Sequence, residues 1–222
     1  MTDFACNVSA DLFRRALSCV STEQTRYYLG GVQIEPCAQG GVLLVSTDDH
    51  RLIALRDPTG SADGTAIISA ESSLTKALGD KRAETLIVAE NRANVAGAGN
   101  VPLYRGVADC EIDGTFPDWR RVIPNLETPA RPDKEAWPRM VGAYNANLLN
   151  GIAKALAPIG KAAPSVDLYA DDMTSPILVY GSAQDIDGFG VLMPIRSGRS
   201  PFRPSWLERP PVVVADETEA AA

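Results

Sequence analysis

The apolar and polar positions along this chain repeat as a strand, a helix and three further strands. In the first unit, an apolar strand at residues 4–8 is followed by Ser9, a residue typical of a helix N-cap. Beyond it, apolar side chains recur at the spacing of one helix face, at Leu12, Phe13, Ala16, Leu17 and Val20. Alternating runs then predict strands at about 26–35, 41–47 and 51–57.

The same order of elements occurs twice more. The second unit predicts a strand at 65–69, a short helix marked by Leu74, Ala77 and Leu78, and strands near 84–90, 92–98 and 101–109. The third unit predicts a strand near 139–143, a helix from the N-cap Asn145 to about Ala157, and strands near 165–170, 176–181 and 187–195. The predicted fold class is α+β, with repeated β-α-β-β-β units whose helices cover one face of antiparallel sheets.

The units also indicate how the chain divides into domains. One unit buries only one face of its sheet, so the first two are expected to form a complete domain at 1–109 with one shared sheet. Four prolines predict an extended connector at 110–137. The third unit, at 138–196, is then a half domain without a partner. The tail at 197–222 is rich in proline and ends in acidic residues, so we expect it to be mobile.

Composition narrows the function classes. The chain has 222 residues, of which 45% are hydrophobic and 22% charged, as in ordinary globular proteins. The net charge of −7 argues against a protein that simply coats nucleic acid, although local basic surface is compatible with DNA contact. No membrane span or signal peptide is predicted, so we expect a cytoplasmic protein. The four cysteines lack paired spacing, so neither a zinc site nor another cofactor is expected.

Four segments resemble those of one protein family and follow that family's order. They read Arg-Tyr-Tyr-Leu-Gly-Gly from Arg26, Thr-Asp-Asp-His-Arg-Leu from Thr47, Thr-Phe-Pro-Asp-Trp-Arg-Arg-Val-Ile-Pro from Thr115, and Val-Leu-Met-Pro-Ile-Arg from Val191. The family is the bacterial sliding clamp, the β subunit of DNA polymerase III. The resemblance covers roughly residues 4–196. It implies a DNA-clamp-like fold that corresponds to the clamp's middle domain followed directly by the second half of its last domain.

The resemblance implies a non-enzymatic protein that binds short linear peptides. In the family, DNA polymerases and repair proteins carry these peptides, which enter one apolar pocket between the middle and last domains. By matching motif, the pocket is expected to be lined by Leu29, Thr47, His50, Arg51, Leu52, Pro117, Arg121, Val122, Val191, Met193, Pro194, Ile195 and Arg196. Apolar walls, an adaptable methionine and a few polar groups suit such a ligand. Where the family usually has glycine, this chain has Asp49, which adds a carboxylate at the rim and removes glycine's backbone freedom.

The resemblance also implies contact with duplex DNA that does not depend on base sequence. Family members encircle DNA as processivity factors, with helices lining the hole. Basic residues on or just after the predicted helices lie off the apolar stripes, where they would meet phosphates. They are Arg14, Arg15, Lys76, Lys81, Arg82, Lys154 and Lys161. A ring would require the third unit of one chain to pair with that of another, which predicts a homo-oligomer.

Other functions stay open at the level of sequence. The protein could be a non-encircling adaptor or competitor that keeps the peptide pocket, or a degenerate paralogue that only scaffolds. Asp48, Asp49 and His50 suggest a metal-dependent nuclease or phosphoesterase, but a metal site needs three or four convergent ligands and the sequence shows no clear further ones. The two arginines after Trp119 are compatible with a nucleic-acid patch, although a connector that packs Trp119 and pins the domain junction is favoured.

Overall fold

The computed structural model describes residues 4–123, 142–157, 165–170, 174–181 and 186–195. Within these ranges the chain forms two antiparallel sheets and three α-helices, which confirms the predicted α+β class. The helices are α1 (Ala10–Ala16), α2 (Ser72–Leu78) and α3 (Ala146–Ala155). Across the described part of the chain, no helix has the length and apolar character needed to span a membrane.

Eleven described strands follow the predicted order along the chain, and one two-residue strand, Ser61–Ala62, was not predicted. The predicted strand near 139–143 lies mostly outside the described residues, and within them Ala143 forms only an isolated bridge to Ile195. The strands are β1 (Cys6–Ser9), β2 (Gly31–Pro36), β3 (Val42–Thr47), β4 (Arg51–Asp57), β5 (Ser61–Ala62), β6 (Ala66–Ser69), β7 (Thr85–Ala89), β8 (Arg92–Gly97), β9 (Val101–Ala108), β10 (Val166–Tyr169), β11 (Ile177–Gly181) and β12 (Gly188–Leu192). A five-stranded sheet has the order β5-β1-β7-β8-β9, and a seven-stranded sheet has the order β10-β11-β12-β4-β3-β2-β6. The third unit therefore extends the sheet of the first unit through the pairing of β12 with β4.

The first two units exchange their first strands. β1 of the first unit pairs with β7 of the second, with Val8 opposite Leu86. β6 of the second unit pairs with β2 of the first, with Val32 opposite Ile68. The expectation of one sheet shared by both units is therefore wrong, because each unit completes the other's sheet and both sheets contribute to one core. The division of the chain into domains stays a prediction.

The main core lies on the helix side of both sheets. From β4, Ile53 and Leu55 point into it, and α3 contributes Ile152. Other large side chains that are fully buried are Phe13, Ile34, Leu44, Leu86, Leu156 and Ile177. Because all three helices pack into this one core, their remaining faces point away from the sheets.

A second, smaller cluster covers the opposite face of the seven-stranded sheet. Leu52 and Ala54 of β4 point to this side because successive side chains of a strand alternate between faces. Trp119 of the connector is buried here, as expected for a packed junction, and neighbours include Val45, Leu178 and Val191. A short 3-10 helix, Trp119–Val122, replaces part of the predicted extended connector. The connector is thereby held over β4 and β12, where the candidate site lies.

Two helix starts confirm the capping residues predicted from the sequence. The Ser9 hydroxyl accepts a hydrogen bond from the Leu12 amide at 3.4 Å at the start of α1. The Asn145 side-chain oxygen accepts from the amides of Asn147 and Leu148, at 3.0 and 3.4 Å, at the start of α3. These bonds satisfy amides that have no partner within the helix.

Only the second half of the predicted strand 26–35 is a strand. Gln24–Leu29 forms a 3-10 helix with a kink inside it, and β2 begins at Gly31. A β-carbon at Gly31 would lie 2.4 Å from the Ile68 carbonyl oxygen, so β6 can approach only because position 31 lacks a side chain. The two tyrosines before this glycine pack edge to face, with ring centroids 5.8 Å apart. Tertiary contacts therefore override the β propensity of this segment.

Three of the four cysteines are held as protonated thiols by the fold. All four are free, and Cys6 and Cys19 are buried. Burial raises the pKa of Cys6 and of Cys19 to about 12 and that of Cys110 to about 11. Because the thiolate is the reactive form, these three side chains act as small apolar groups at neutral pH.

Candidate functional site

A surface cavity of about 110 Å³ lies where the connector crosses the outer face of the seven-stranded sheet. Its walls come from the end of β3, the start of β4, the connector and the segment after β12. The lining residues are Thr47, Asp49, Arg51, Leu52, Pro117, Asp118, Trp119, Val122, Val191 and Met193. Chain segments far apart in sequence therefore form one mostly apolar depression.

Seven residues predicted from the sequence come together around this cavity. They are Thr47, Arg51, Leu52, Pro117, Val122, Val191 and Met193. Leu52 and Val191 are buried and form its floor, whereas the Val122 and Met193 side chains are 38% and 37% exposed. The exposed apolar side chains leave surface that a ligand can cover.

The other predicted lining residues lie outside the cavity wall. Leu29 is buried and does not line the cavity. His50 is exposed, and its carbonyl oxygen accepts the Met193 amide at 3.0 Å, which fixes the segment after β12 against the β3–β4 turn. Ile195 is bridged to Ala143, its amide donating to the Ala143 carbonyl at 2.8 Å. The remaining residues of the set are Arg121 and Pro194, which do not line the cavity, and Arg196, which lies outside the described residues.

The structure adds Trp119 and Asp118 to the lining. The Trp119 ring is only 6% exposed, and its Nε1 has no hydrogen-bond partner among the described residues. The guanidinium of Arg120 lies 4.2 Å from the ring centroid and is also paired with Glu35 of β2. Packing of Trp119 was predictable, since a large aromatic side chain in a proline-bounded connector must be covered by other residues. Its position beside the cavity was not predictable from the sequence.

The β3–β4 turn holds its residues by side-chain hydrogen bonds to the backbone. One Asp48 oxygen accepts the amides of His50 and Arg51 at 3.1 and 3.0 Å, and the other accepts Arg51 Nε at 2.9 Å. The Thr47 hydroxyl donates to the Arg51 carbonyl at 2.8 Å. Asp48 therefore fixes both the backbone of the turn and the side chain of a residue in the cavity wall.

Arg51 also contacts the helix of the third unit. A β-carbon at Gly151 of α3 would lie 2.4 Å from an Arg51 guanidinium nitrogen. Glycine at this position thus lets α3 lie against the guanidinium that Asp48 holds from the other side. The cavity wall is consequently connected to α3 through one side chain.

Asp49 has a backbone conformation that favours glycine. Its φ angle is 69°, in the left-handed region. Its carboxylate forms an ion pair with Arg26, and its amide donates to the Thr47 hydroxyl at 3.2 Å. The departure noted in the sequence therefore falls at a position where the turn itself requires a left-handed residue, and aspartate is one of the few other residues that tolerate it.

The alternative metal site at Asp48, Asp49 and His50 gains no support from this geometry. Both carboxylates are already engaged by arginines, Arg51 for Asp48 and Arg26 for Asp49. Within the described residues, no group of three histidine, cysteine, aspartate or glutamate side chains is arranged to hold a metal ion. The triplet therefore serves the β3–β4 turn.

Some of the basic residues predicted to contact DNA are exposed, and others are held in ion pairs within the protein. Lys76 on α2, Lys81 just after it and Lys154 on α3 are exposed. Arg14 is half-exposed and paired with Asp11 one helical turn earlier. Arg82 pairs with Asp80 at 2.7 Å on an exposed surface. Lys161 lies outside the described residues.

Arg15 differs from the other members of this set because its side chain is engaged within the fold. Its side chain is 11% exposed and pairs with Asp11 at 2.6 Å. Its guanidinium donates to the carbonyl oxygens of Ala155 and Ala157, at 3.0 and 2.8 Å, at the end of α3. This residue links α1 to α3, so the geometry does not support the predicted phosphate contact for Arg15.

Comparison with known proteins finds β sliding clamps among the relatives of this chain. The β sliding clamps of two strains of Caulobacter vibrioides, NA1000 / CB15N and ATCC 19089 / CIP 103742 / CB 15, are each 35% identical to this chain over 114 residues. The matched part is 47% of this chain and 29% of each relative, so the chain spans well under half the length of those proteins. No protein-family model matches the chain.

Solved structures show the same fold over most of the chain. The sliding clamp of Pseudomonas aeruginosa superposes with a TM-score of 0.60 at 17% identity, covering 87% of this chain and 66% of the clamp. The sliding clamp of Caulobacter crescentus superposes with a TM-score of 0.59 at 22% identity, covering 89% of this chain and 66% of the clamp. The DNA polymerase III β chain of Streptococcus pneumoniae superposes with a TM-score of 0.62 at 17% identity, covering 86% of this chain and 64% of that protein. The predicted resemblance to the sliding clamp family and its clamp-like fold are therefore confirmed, in a chain that covers about two thirds of those structures.

Proposed function

We propose that this chain is a non-enzymatic, clamp-like protein of the cytoplasm that binds linear peptides of DNA polymerase and repair proteins. The observation that carries the proposal is the cavity beside Met193. It is apolar, lies on the protein surface and is built from residues of the β3–β4 turn, the connector and the segment after β12.

The chemistry of the cavity suits a peptide with apolar or aromatic anchors. Val122 and Met193 offer exposed apolar surface above a floor of Leu52 and Val191. Methionine adapts to different partners because its side chain is unbranched and polarizable. Thr47 and Asp118 add polar groups to the lining, which can orient a peptide.

Fluorescence anisotropy tests the proposal. A labelled peptide of the Gln-x-x-Leu-Phe type is titrated with the parent chain, with Met193→Ala and with the control Val101→Ala. Val101 is a matched control because it is an exposed apolar residue on β9, in the other sheet. We expect saturable binding by the parent and the control. Truncation of an anchor typically costs more than about 1 kcal/mol, so Met193→Ala should weaken binding about tenfold.

Met193→Ala is a cleaner test than a charge placed at Leu52. Leu52 is 3% exposed and belongs to the outer cluster, so Leu52→Asp would bury a carboxylate and unfold that cluster. Equal affinity of the parent and Met193→Ala would contradict the pocket assignment. No binding by the parent would overturn the peptide-binding function and favour a purely scaffolding role.

The proposal extends to duplex DNA, as a processivity factor, through the exposed faces of the helices. Lys76 and Lys154 lie on these faces, on α2 and α3, and point away from the sheets together with the rest of each polar helix surface. With a net charge of −7, any attraction for phosphates has to come from such local basic surface. A non-encircling adaptor or competitor would keep the peptide cavity but show no salt-dependent DNA association.

A further inference from the structure

The chain leaves the folded body directly beside the cavity. Met193 lies in the cavity wall, and its amide donates to the His50 carbonyl at 3.0 Å. Two residues later, the Ile195 amide donates to the Ala143 carbonyl at 2.8 Å. Ile195 is the last described residue, and residues 196–222, which include the tail, follow it outside the described part of the chain. These two hydrogen bonds fix the start of the tail next to the cavity.

Exposed apolar surface extends from the cavity towards this exit point. Val122 and Met193 present partly exposed apolar side chains in the cavity wall. Ile195, two residues further along the chain, is 51% exposed. Apolar surface that is contiguous with a concave site marks an interaction site more often than ordinary solvated surface. The cavity and the exit of the chain therefore offer one surface for a peptide to cover.

The first half of the tail carries side chains that suit this surface. Residues 197–209 are called here the basic segment, and their largest apolar side chains are Phe202, Trp206 and Leu207. The adjacent tryptophan and leucine have the same chemistry as the leucine and aromatic anchors of a Gln-x-x-Leu-Phe peptide. Tryptophan is among the side chains that contribute most to binding when a pocket covers them.

The basic segment is long enough to return to the cavity. Trp206 is 13 positions after Met193 in the sequence. A flexible chain of that length spans about 20 Å on average, and about 45 Å when fully extended. Because the cavity wall begins at Met193 itself, either span is sufficient. The Ser197-Gly198 pair is typical of a turn and allows the chain to reverse its direction.

Charge favours the basic segment over the rest of the tail as a ligand of the cavity. The basic segment has three arginines and one glutamate, whereas residues 210–222 have three acidic residues and no basic one. Two of the three charged side chains in the cavity wall are already in ion pairs. The third, Asp118, is exposed and forms no ion pair within the described residues. Arg203, between the aromatic residues of the segment, can pair with this carboxylate.

We propose that the basic segment occupies the cavity of its own chain and competes there with external peptides. The inference rests on the proposed function, since it assumes that the cavity accepts peptides with apolar anchors. The Trp206-Leu207 pair covers the exposed apolar wall, and Arg203 pairs with Asp118. An external peptide binds only when the segment has left the cavity, so the chain regulates its own binding site.

The expected competition is moderate. A short linker holds the segment at an effective concentration of about 1 mM. If the isolated segment binds with a Kd of about 0.5 mM, it fills the cavity about two thirds of the time, which raises the apparent Kd of an external peptide about threefold. A partner that binds more tightly than the segment therefore displaces it.

Thiol labelling measures whether the segment covers the cavity. The full chain carries Cys37→Ser, which removes a partly exposed native thiol, and Val122→Cys as a reporter in the cavity wall. The tail variant carries Trp206→Ala and Leu207→Ala in addition. N-ethylmaleimide should label the reporter about three times faster in the tail variant, because the segment no longer covers it. Equal labelling rates with the native and the variant tail would overturn the proposal.

Two controls assign the protection to the basic segment and to the cavity. Val212→Ala combined with Val213→Ala removes apolar groups from the other half of the tail and should leave the labelling rate unchanged. A reporter at Val101→Cys, an exposed position on β9, should react at the same rate with every tail. Protection of the cavity reporter should persist on dilution, since the segment belongs to the same chain. Protection that disappears on dilution would show a segment from another molecule and contradict the proposal.

Fluorescence anisotropy with the labelled Gln-x-x-Leu-Phe peptide measures the competition itself. The tail variant with its native Val122 and Cys37 should bind this peptide about threefold more tightly than the parent. Equal affinities would overturn the competition and leave the proposed function intact. If neither protein binds the peptide, the proposed function fails together with the competition, whereas the labelling rates still decide whether the segment covers the cavity.

Discussion

Asp49 shows how much of this site depends on one backbone angle. It has a φ of 69° in the turn between β3 and β4, a backbone conformation that favours glycine. The carboxylate compensates in part by pairing with Arg26. An exposed ion pair contributes at most about 1 kcal/mol, whereas a left-handed conformation costs a residue with a side chain about 1–2 kcal/mol.

Replacing Asp49 by glycine should therefore stabilise the fold. We expect Asp49→Gly to raise the free energy of unfolding by about 0.5–1 kcal/mol, measured from urea unfolding midpoints at constant slope. Asp49→Ala is the matched control, since it removes the same carboxylate but keeps the unfavourable angle, and it should be less stable than the parent. If glycine and alanine behave alike, the backbone conformation is not what limits stability here.

At the scale of elements, the contact between α1 and α3 is the least expected feature. The Arg15 side chain extends from α1 and donates hydrogen bonds to two carbonyl groups at the end of α3. The C-terminal end of a helix has unpaired carbonyl groups and is the negative end of the helix dipole. Asp11 holds the guanidinium in place. Partial burial disfavours the charged carboxylate of Asp11, but hydrogen bonds from Arg15 and Arg14 outweigh this, so the pKa of Asp11 is below its ordinary value.

Arg15→Met should destabilise the protein more than Arg14→Met. Arg15 is nearly buried and makes two hydrogen bonds from a charged group, so we expect a loss of about 1–3 kcal/mol in the free energy of unfolding. Arg14 is half exposed and pairs only with Asp11 among the described contacts, so its loss should cost about 0.5 kcal/mol or less. Urea unfolding of both variants gives the comparison. Equal losses would mean that the contact with α3 contributes nothing.

The same link predicts a dependence on pH. Because the folded pKa of Asp11 is lowered, its stabilising contribution is complete above the ordinary carboxylate pKa of about 4 and is lost as pH falls through the lower folded value. The Arg15→Met variant should therefore lose less of its free energy of unfolding than the parent as the pH is lowered. Urea unfolding of both proteins, repeated at low pH, measures this difference.

At the scale of the whole molecule, the helices and the cavity lie on opposite sides of the seven-stranded sheet. The helices share one core and turn their polar faces outward, whereas the opposite face of the seven-stranded sheet carries the connector and the cavity. Peptide binding and DNA contact, if both occur, would therefore use different surfaces. A change on the helices should affect DNA alone.

Charge reversal on the helices tests this separation. Lys76→Glu combined with Lys154→Glu should weaken association with duplex DNA and lower the slope of log K against log salt concentration by roughly two, about one for each lost phosphate contact. Arg105→Glu combined with Arg121→Glu makes the same change in net charge at exposed residues outside the three α-helices and should leave the slope unchanged. Equal slopes for the parent, the lysine variant and the arginine control would show that the two lysines face solvent and do not contact DNA.

Regular elements were predictable because their signals are local. β4 spans Arg51–Asp57 as predicted, and Ser9 and Asn145 cap their helices, because alternation and capping depend on neighbours in sequence. Four short motifs were also enough to predict the clamp-like fold. The 3-10 helix Gln24–Leu29 was missed because its tyrosines favour a strand locally, whereas pairing with β6 begins only at Gly31.

The sequence by itself determined the three helices and most of the strands, the alternation that buries both faces of β4, and most of the residues around the cavity. Only the tertiary structure decided how the elements meet. The exchange of first strands, the ion pair of Asp49 with Arg26 and the link from Arg15 to α3 all depend on residues far apart along the chain. Periodicity and propensity describe a residue's neighbours in sequence, whereas these features follow from packing a common core.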